Sequence, residues 1–361
     1  MKKRIVCLAL VIAIGVLAFA GCGGNTKATT SASTGKTTQA ATQAAATKAA
    51  ATKAAATQAA TTSSKKFKIG MSQCNLGEPW RVAMNDQIAA AAKAHPEFEI
   101  VYADAAQDNS KQISDIENFV QQGVDLIIAS PNEATPLTNA ITKAYDAGVP
   151  VILLDRKIDG DGYTQFIGAD NVAMGKTAGE YVAKTLLPNG GKICEIKGLE
   201  GTSGGIDRDN GFREGIKSNP KCEIVAVNNA DWLREKAITV AEEMLQTNSK
   251  IDLFLALNDP MAEGAYIAAK NAGREKDIIF VGFDGLPTPD GGIKSVIDGR
   301  ISMTQVYPTG GAEAIESAYK LLVKGEKLDK TLTLSSEIVT PETAPDLMKK
   351  YGGDTTSSET K

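Results

Sequence analysis

The sequence predicts an α/β protein made of two lobes, each a doubly wound parallel β-sheet. Three observations lead to this prediction. Short apolar runs rich in β-branched residues alternate with longer segments of helical period, as in repeated βα units. The alternation begins again after Gly168 and continues for a similar length. The run at 149–154 is apolar at successive positions, which indicates a strand covered by helices on both faces.

The predicted elements follow one another in regular order. Ser110 is the predicted N-cap of one helix, and Gly123 is its predicted end. In the first series, strands are predicted at 67–72, 98–102, 125–130 and 149–154, and helices at 79–95, 110–123 and 135–147. In the second series, strands are predicted at 192–197, 223–227, 252–257 and 278–283, and helices at 172–187, 209–218, 233–246 and 261–272. Two similar series predict two similar lobes, with a ligand cleft at the facing carboxyl edges of their sheets.

The start of the chain carries no globular pattern. Residues 1–21 begin with three basic residues and continue as an apolar run, which is the layout of a secretory signal peptide. The approach to Cys22 resembles the lipobox at which bacterial lipoproteins are cut and lipidated, although Phe19 replaces the usual leucine. Residues 22–66 are rich in Ala, Thr, Lys and Gln and predict a disordered linker. We therefore expect an extracytoplasmic protein anchored to the cell membrane by a lipid on Cys22.

The composition argues against several classes of function. Lysine and arginine number 39 against 43 aspartate and glutamate residues, and the absence of a basic patch argues against nucleic-acid binding. His95 is the single histidine, which argues against histidine-centred catalysis and multi-histidine metal sites. We expect no metal and no cofactor. Three of the five cysteines lie in the body of the chain, and whether Cys194 and Cys222 form a disulfide is left open.

Polar and aromatic residues collect where the predicted strands end. Asp155 and Arg156 follow the strand at 149–154, and the alternative interpretation is a surface ion pair that closes the strand. Both tryptophans of the chain, Trp80 and Trp232, also lie near strand ends. Aromatic rings cover the apolar faces of a sugar ring, while carboxylates and guanidinium groups bond its hydroxyls. The pattern therefore predicts a site for a polyhydroxylated small molecule.

Short segments spread over the body resemble a known family. They lie at 123–128, 147–156, 168–171, 207–212, 258–259 and 281–285. Through them the chain from about Phe67 to Val339 resembles the periplasmic sugar-binding proteins of the ribose-binding type, the substrate-capturing components of bacterial ABC importers. The resemblance implies a type I periplasmic binding protein fold, in which three strands join the lobes as a hinge. It places the N-terminal lobe at 67–170 plus 306–333, the C-terminal lobe at 171–305 plus 334–345, and a flexible tail at 346–361.

The same resemblance implies which side chains contact the sugar. Carried over position by position, they are Trp80, Ser130, Asp155, Arg156, Arg208, Trp232, Asn258, Asp284 and Gln305. Ser130 stands where the ribose binders have an asparagine, and Trp232 stands where they have a phenylalanine. The segment 78–81 is closer to the galactofuranose-binding branch, and it adds Glu78 and Arg81 as polar contacts.

Together these features predict a monomeric receptor that captures a monosaccharide, a furanose or another small aldose, and delivers it to the membrane permease of an ABC importer. The alternative is a sugar-sensing component for a membrane kinase or chemoreceptor, because the lobes of such a receptor would have the same sequence pattern. A transcription regulator of the same fold is disfavoured by the leader and by the lack of a helix-turn-helix segment. The sequence alone does not name the sugar.

An enzyme is not expected. Asp155 and Asp284 have the residue types of a glycosidase pair, in which two carboxyl groups share acid and base roles. Each is predicted beside or opposite an arginine, which favours a permanently ionised carboxylate that only accepts hydrogen bonds.

Overall fold

Two sheets of parallel strands form the two lobes of the folded chain. The computed structural model describes residues 65–352. The first sheet contains β1 (Phe67–Gln73), β2 (Phe98–Asp104), β3 (Leu126–Ala129), β4 (Val151–Leu154), β5 (Gln165–Ala169) and β11 (Thr331–Leu334). Their order across the sheet is β11-β5-β4-β3-β1-β2, and every neighbouring pair is parallel.

Helices cover both faces of this first sheet. They are α1 (Pro79–Ala92), α2 (Asn109–Gln121), α3 (Ala134–Asp146) and α9 (Gly311–Leu322). Ile127 and Val151 belong to the core cluster of α2 and α3, whereas Ile128 and Ile152 belong to the cluster that includes α1. Successive side chains of a strand alternate between its two faces, so a strand covered on both sides must be apolar throughout. This is why the run at 149–154 reads as continuously apolar.

The second sheet repeats the arrangement with fewer strands. It contains β6 (Gly191–Lys197), β7 (Cys222–Asn229), β8 (Leu253–Ala256) and β9 (Ile279–Val281), in the parallel order β7-β6-β8-β9. The helices of this lobe are α4 (Asn171–Tyr181), α5 (Ser203–Ile216), α6 (Arg234–Thr247), α7 (Asp259–Asn271), α8 (Gly292–Ile297) and α10 (Ala344–Gly352). A π-helical turn, Val182–Leu186, continues α4. The predicted two-lobe α/β fold is confirmed.

The chain passes between the lobes three times. The first crossing lies between β5 and α4. The second follows β10 (Thr304–Val306), whose neighbour Met303 and whose end Val306 form bridges to the second lobe before the chain enters α9. The third lies between β11, which belongs to the first sheet, and β12 (Glu337–Val339), which pairs with β10. The crossings lie close together, as a hinge requires.

Several local predictions need correction. The tail predicted at 346–361 is helical through Gly352 and packs against α8, because Leu347 is buried there. The N-cap of α2 is Asp108, whose side chain accepts a hydrogen bond from the Lys111 amide, and not Ser110. The predicted signal peptide, Cys22 and the linker up to residue 64 lie outside the described residues. Within residues 65–352, no helix is long and apolar enough to cross a bilayer.

The disulfide that the sequence left open is not formed. Cys74, Cys194 and Cys222 are free thiols. Cys194 and Cys222 lie on neighbouring strands, but Cys194 pairs with Ala226 and Cys222 pairs with Gly191, so the two side chains are out of register.

Helices α4 and α5 pack backbone against backbone. Glycines spaced four residues apart stand where they touch, Gly175 and Gly179 on α4 and Gly211 and Gly215 on α5. A Cβ atom at Gly211 would overlap the Val172 carbonyl oxygen. Residues four apart share one helix face, so the glycines form a continuous flat strip. This strip sets the position of α5 relative to α4.

A buried charged network holds α5 to the second sheet. Glu195 on β6 is fully buried, and its Oε2 accepts a hydrogen bond from Arg213 Nη2 at 2.7 Å. Asp209 accepts from Lys197 Nζ at 2.6 Å and also pairs with Arg213. Burial raises the pKa of Glu195 to about 7, the charge of Asp209 adds to the rise, and Arg213 opposes it.

We expect Gly211→Ala to lower the free energy of unfolding by about 1–3 kcal/mol, because the added methyl group overpacks the contact between α4 and α5. Chemical denaturation measures the change. Gly77→Ala is the matched control, since the atom nearest to its Cβ would be 3.6 Å away. Equal stability of the two variants would contradict the close-packing argument.

The second prediction concerns pH. The folded pKa of Glu195 lies above its ordinary value of 4.5, so its contribution to stability is complete below pH 4.5 and is lost as the pH rises through 7. We expect Glu195→Gln, which keeps the shape of the protonated acid, to abolish this loss of stability. At pH 8 its free energy of unfolding should exceed that of wild type by about 1–3 kcal/mol. Urea unfolding at pH 5 and pH 8 tests this, with Glu214→Gln as an exposed control. The same pH dependence in wild type and Glu195→Gln would disprove it.

Candidate functional site

The carboxyl ends of both sheets border one cavity between the lobes. It encloses about 330 Å³ of space outside protein atoms, part of which is open to solvent. The structure brings nine predicted site residues together around it: Glu78, Trp80, Arg81, Asp155, Arg156, Arg208, Trp232, Asn258 and Asp284. Gly204 and Tyr307, which sequence reasoning missed, also line it. Ser130 and Gln305, also predicted, do not line the cavity and lie behind the residues that do.

Asp155 is the central acceptor of the first lobe. It follows β4, is 6% exposed, and its Oδ2 lies 2.6 Å from Arg81 Nη2 and 3.7 Å from Arg156 Nε. Burial alone would raise the pKa of Asp155, but the charges of Arg81 and Arg156 outweigh it and hold this pKa below its ordinary value. Asp155 is therefore an ionised acceptor, as the sequence predicted.

Arg81 and Arg156 are positioned by hydrogen bonds to groups outside the cavity. Arg81 Nη1 donates to Ser130 Oγ at 2.8 Å, and Ser130 is completely buried. Arg156 Nη1 donates to the Asn132 carbonyl oxygen at 2.8 Å. Ser130 therefore positions a guanidinium group and does not line the cavity, which corrects its predicted place in the site.

Trp80 and Tyr307 form a fixed aromatic wall. The two rings stack with centroids 5.1 Å apart and an interplanar angle of 21°. Trp80 Nε1 also donates to the Tyr307 carbonyl oxygen at 2.9 Å. Tyr307 lies two residues after Gln305, which the sequence placed at the sugar. This nearness in sequence was the signal from which Tyr307 could have been predicted. Its hydroxyl accepts a hydrogen bond from Asn171 Nδ2 at 3.3 Å.

Arg208 is the main cation of the second lobe. It projects from α5, where Nε donates to Asn171 Oδ1 at 2.7 Å and Nη1 donates to the Leu257 carbonyl oxygen at 2.6 Å. Asp284, which follows β9, places its Oδ1 4.0 Å from Arg208 Nη1. This distance is beyond a hydrogen bond, so the carboxyl group of Asp284 is not held by Arg208 as Asp155 is held by Arg81.

The surroundings of Asp284 do not favour the ionised carboxylate that the sequence predicted. Burial, and next the neighbouring Asp259, raise the pKa of Asp284 well above its ordinary value, and Arg208 opposes this only in part. Asp259 is buried as well and accepts hydrogen bonds from the Gly285 amide at 2.8 Å and from Thr304 Oγ1 at 2.7 Å. A protonated Asp284 both donates and accepts, whereas Asp155 only accepts.

Asn258 and Gln305 have structural partners of their own. Asn258 is the N-cap of α7, since its Oδ1 accepts from the Met261 amide at 3.0 Å, and its Nδ2 donates to the Trp232 carbonyl oxygen at 3.1 Å. Gln305 is 2% exposed and donates to the Met174 carbonyl oxygen at 2.8 Å. Gln305 therefore fastens the second crossing to α4, and its predicted place at the cavity needs correction.

Trp232 lies against two glycines. A Cβ atom at Gly198 would overlap the indole ring, and one at Gly205 would lie 3.2 Å from Cζ2. Gly204 and Gly205 belong to the first turn of α5, which begins at Ser203 and not at 209 as predicted. Gly198 and Gly205 thus leave room for the Trp232 ring, and Gly204 and Gly205 take part in the start of a helix.

Backbone strain collects at the same place. Among residues 65–352, six non-glycine residues have positive φ angles, and three of them line the cavity: Asp155 at 70°, Trp232 at 71° and Asp284 at 122°. Each such conformation costs on the order of 1–3 kcal/mol and persists only where surrounding contacts enforce it. The strain indicates that these three side chains are held for a purpose other than packing.

The lobes touch across the cleft. The Ala134 amide donates to the Gly201 carbonyl oxygen at 3.2 Å, and the Lys157 amide donates to Ser203 Oγ at 2.9 Å. Gln107 Nε2 donates to the Asp231 carbonyl oxygen at 3.2 Å. These bonds join loops of the first lobe to loops of the second, so the cleft is closed.

Comparison with known proteins identifies the family. Residues 69–327 match the family described as periplasmic binding protein domain. Over 77% of this chain, the sequence is 33% identical to the ribose import binding protein of Bacillus subtilis (strain 168), and the match covers 88% of that protein. The chain is a periplasmic binding protein of the ribose-binding type.

This periplasmic binding protein also resembles binders of other sugars. It is 32% identical to the galactofuranose-binding protein of Escherichia coli (strain K12), over 78% of this chain and 90% of that protein. The fructose-binding periplasmic domain of a hybrid two-component system has a TM-score of 0.76 and 39% identity, over 79% of this chain and 94% of that chain. These matches confirm the predicted family and fold. The relatives are binding proteins, which confirms that an enzyme is not the right class.

We expect Ser130→Ala to destabilise this periplasmic binding protein by about 1–3 kcal/mol, because it leaves a buried guanidinium N–H without its acceptor. Thermal or chemical unfolding measures the loss. Ser114→Ala is the matched control, since its hydroxyl donates only to its own helix on an exposed face. If Ser130→Ala were as stable as Ser114→Ala, Ser130 would not be a positioning residue for Arg81.

Proposed function

We propose that this protein captures a monosaccharide between its lobes, remains closed over it, and delivers it to the membrane permease of an ABC importer. One observation carries the proposal. Each lobe contributes an indole ring together with an aspartate near an arginine: Trp80, Asp155 and Arg156 from the first, and Trp232, Asp284 and Arg208 from the second. Such a set covers the apolar faces of a sugar ring and bonds hydroxyls that both donate and accept.

Closure follows from the division of the site between the lobes. A ligand that contacts both Asp155 and Asp284 stabilises only the conformation in which the two are close. The three crossings then act as a hinge, and the two lobes, with α10 up to Gly352 as part of the second, move as units. The interlobe hydrogen bond from Ala134 to Gly201 adds to the closed state.

The sugar we propose is a furanose or another small aldose. The relatives are named as ribose, galactofuranose and fructose binders. The identities to the ribose and galactofuranose relatives, 33% and 32%, are too similar to choose between those two sugars. The mixture of a fixed acceptor at Asp155 and a donor-acceptor at Asp284 suits neighbouring hydroxyls of either.

We propose that the protein is a monomer tethered outside the cytoplasm by a lipid on Cys22. The support is the sequence of residues 1–66, with its basic start, apolar run and polar linker. A tether of this kind keeps a receptor beside a membrane permease while leaving its lobes free to close. Mass spectrometry of the protein purified from membranes, before and after mutation of Cys22 to serine, tests the lipid.

A second candidate function has one specific observation in its favour. The fructose-binding domain that resembles this chain at 39% identity belongs to a hybrid two-component system, which is a sensor. Sugar uptake and sugar-induced phosphorylation, each measured in cells with and without this protein, separate the two roles. Loss of uptake supports import, and loss of phosphorylation alone supports sensing.

The substrate is tested directly on the purified protein. Mass spectrometry of released ligand, followed by calorimetry with D-ribose, D-allose, L-arabinose, D-galactose and D-fructose, is expected to identify at least one saturable monosaccharide. Failure of all five to bind would overturn the proposed function.

We expect Asp284→Ala and Asp155→Ala each to abolish the compaction that the bound sugar induces, since each removes the contact on one lobe. Solution scattering with and without saturating sugar measures the radius of gyration. Glu214→Ala, which changes a carboxylate with 54% side-chain exposure, is the control and should compact like wild type. Undiminished compaction in either cavity variant would contradict the assignment of that residue.

A further inference from the structure

The two indole rings of the cavity differ in the state of their N–H groups. Trp80 Nε1 donates to the Tyr307 carbonyl oxygen at 2.9 Å. Trp232 Nε1 is buried and has no hydrogen-bond partner among the described residues, although the side chain lines the cavity. A buried donor without an acceptor is costly in a folded protein, and such groups are rare.

The Trp232 ring is not free to turn away and find a protein acceptor. One face lies against Gly198, where even a Cβ atom would overlap the ring. The backbone of Trp232 has a φ angle of 71°, and its carbonyl oxygen is bound by Asn258 Nδ2 at 3.1 Å. The position of the N–H is therefore set by the fold.

The charged neighbours of the ring cannot satisfy this donor. The guanidinium groups of Arg156 and Arg208 lie 5.7 and 5.8 Å from the ring centre. Arginine has five N–H donors and no acceptor. An acceptor for Trp232 must therefore come from whatever fills the cavity.

We propose that Trp232 Nε1–H donates a hydrogen bond to a hydroxyl oxygen of the bound sugar, which makes Trp232 a specificity-determining residue that rejects the sugar lacking that oxygen. This inference deepens the proposed function and rests on it. Trp80 then supplies a ring surface alone, because its own N–H is already used. The two tryptophans have the same side chain and different tasks.

Arg81 Nε is a second buried donor at the cavity without a partner. It lies on the opposite lobe, so the closed site presents one unsatisfied donor from each side. Arg81 is bound to Asp155 at 2.6 Å and to Ser130 at 2.8 Å, so a substitution there would disturb the whole first lobe. Trp232→Phe removes the N–H and keeps an aromatic ring, which makes it the cleaner test.

The experiment measures calorimetric affinities of wild type, Trp232→Phe and Trp80→Phe. The ligands are D-ribose, D-allose, L-arabinose, D-galactose and D-fructose, and then the monodeoxy derivatives of whichever of these five binds most tightly. We expect one derivative to bind wild type about 10- to 100-fold more weakly than its parent, which corresponds to about 1.4–2.8 kcal/mol. The affinities of Trp232→Phe for the same derivative and for its parent should lie within about twofold of each other. For Trp80→Phe, the full difference in affinity between the derivative and its parent should remain.

A readout that keeps Trp232 intact covers the case in which Trp232→Phe does not fold. The chain has two tryptophans, so Trp80→Phe leaves the indole N–H resonance of Trp232 alone in the NMR spectrum. The parent sugar should shift this resonance, and the one discriminated derivative should leave it close to its position in the ligand-free protein. Identical shifts with every derivative would overturn the inference.

The outcomes separate the inference from the function on which it rests. If none of the five sugars binds wild type, the proposed function fails and the inference fails with it. If a sugar binds and every deoxy penalty is the same in wild type and Trp232→Phe, the monosaccharide function stands and the role of Trp232 as a donor is wrong.

Discussion

The site depends on a buried ion pair, Arg81 with Asp155. Both side chains are at most 6% exposed, and their charged atoms lie 2.6 Å apart. Removing two charges from water costs several kcal/mol for each ion, and their attraction repays this only if the remaining polar atoms are also bonded. Ser130 bonds Arg81 Nη1, and the charge of Arg156, 3.7 Å from Asp155, adds to the attraction, while Arg81 Nε has no partner among the described residues. The pair therefore fixes one acceptor in the first lobe, and the second lobe must be complementary to it.

The two aspartates of the cavity have opposite electrostatic environments. Arginines hold the pKa of Asp155 low, while burial and Asp259 raise that of Asp284. One protonated and one ionised carboxyl group is also the arrangement of a glycosidase. Here, however, the ionised member is occupied by Arg81, so it is not free to attack a sugar or to activate water. For the proposed sugar site, the same separation of pKa values would provide one pure acceptor and one group that can donate.

Much of this arrangement could be predicted from the sequence, for a physical reason. Parallel strands place their carboxyl ends at one edge, so residues after strands, such as Asp155 and Asp284, were expected to converge. The predictions that failed concern the direction of individual side chains. That direction depends on hydrogen-bond partners, which the spacing of residues in the sequence does not reveal. Ser130 and Gln305 follow or occupy the right strands, yet they turn behind the wall because Arg81 and the Met174 carbonyl oxygen bind them there. The raised pKa of Asp284 depends first on its burial and then on Asp259, and the sequence pattern gives neither the burial nor the bonding partners of these carboxyl groups.

The strained residues explain how a site divided between two lobes can still be rigid. Asp155, Trp232 and Asp284 have positive φ angles that their neighbours enforce, so each side chain is already oriented before a ligand arrives. Preorganised groups lose little conformational freedom on binding, and the contacts they make are then available to stabilise closure. In the proposed closure the lobes move about the three crossings, which lie close together. A bound sugar would then bridge the two lobes, and an unsatisfied donor such as Trp232 Nε1 in the wall of the closed cavity fits that role.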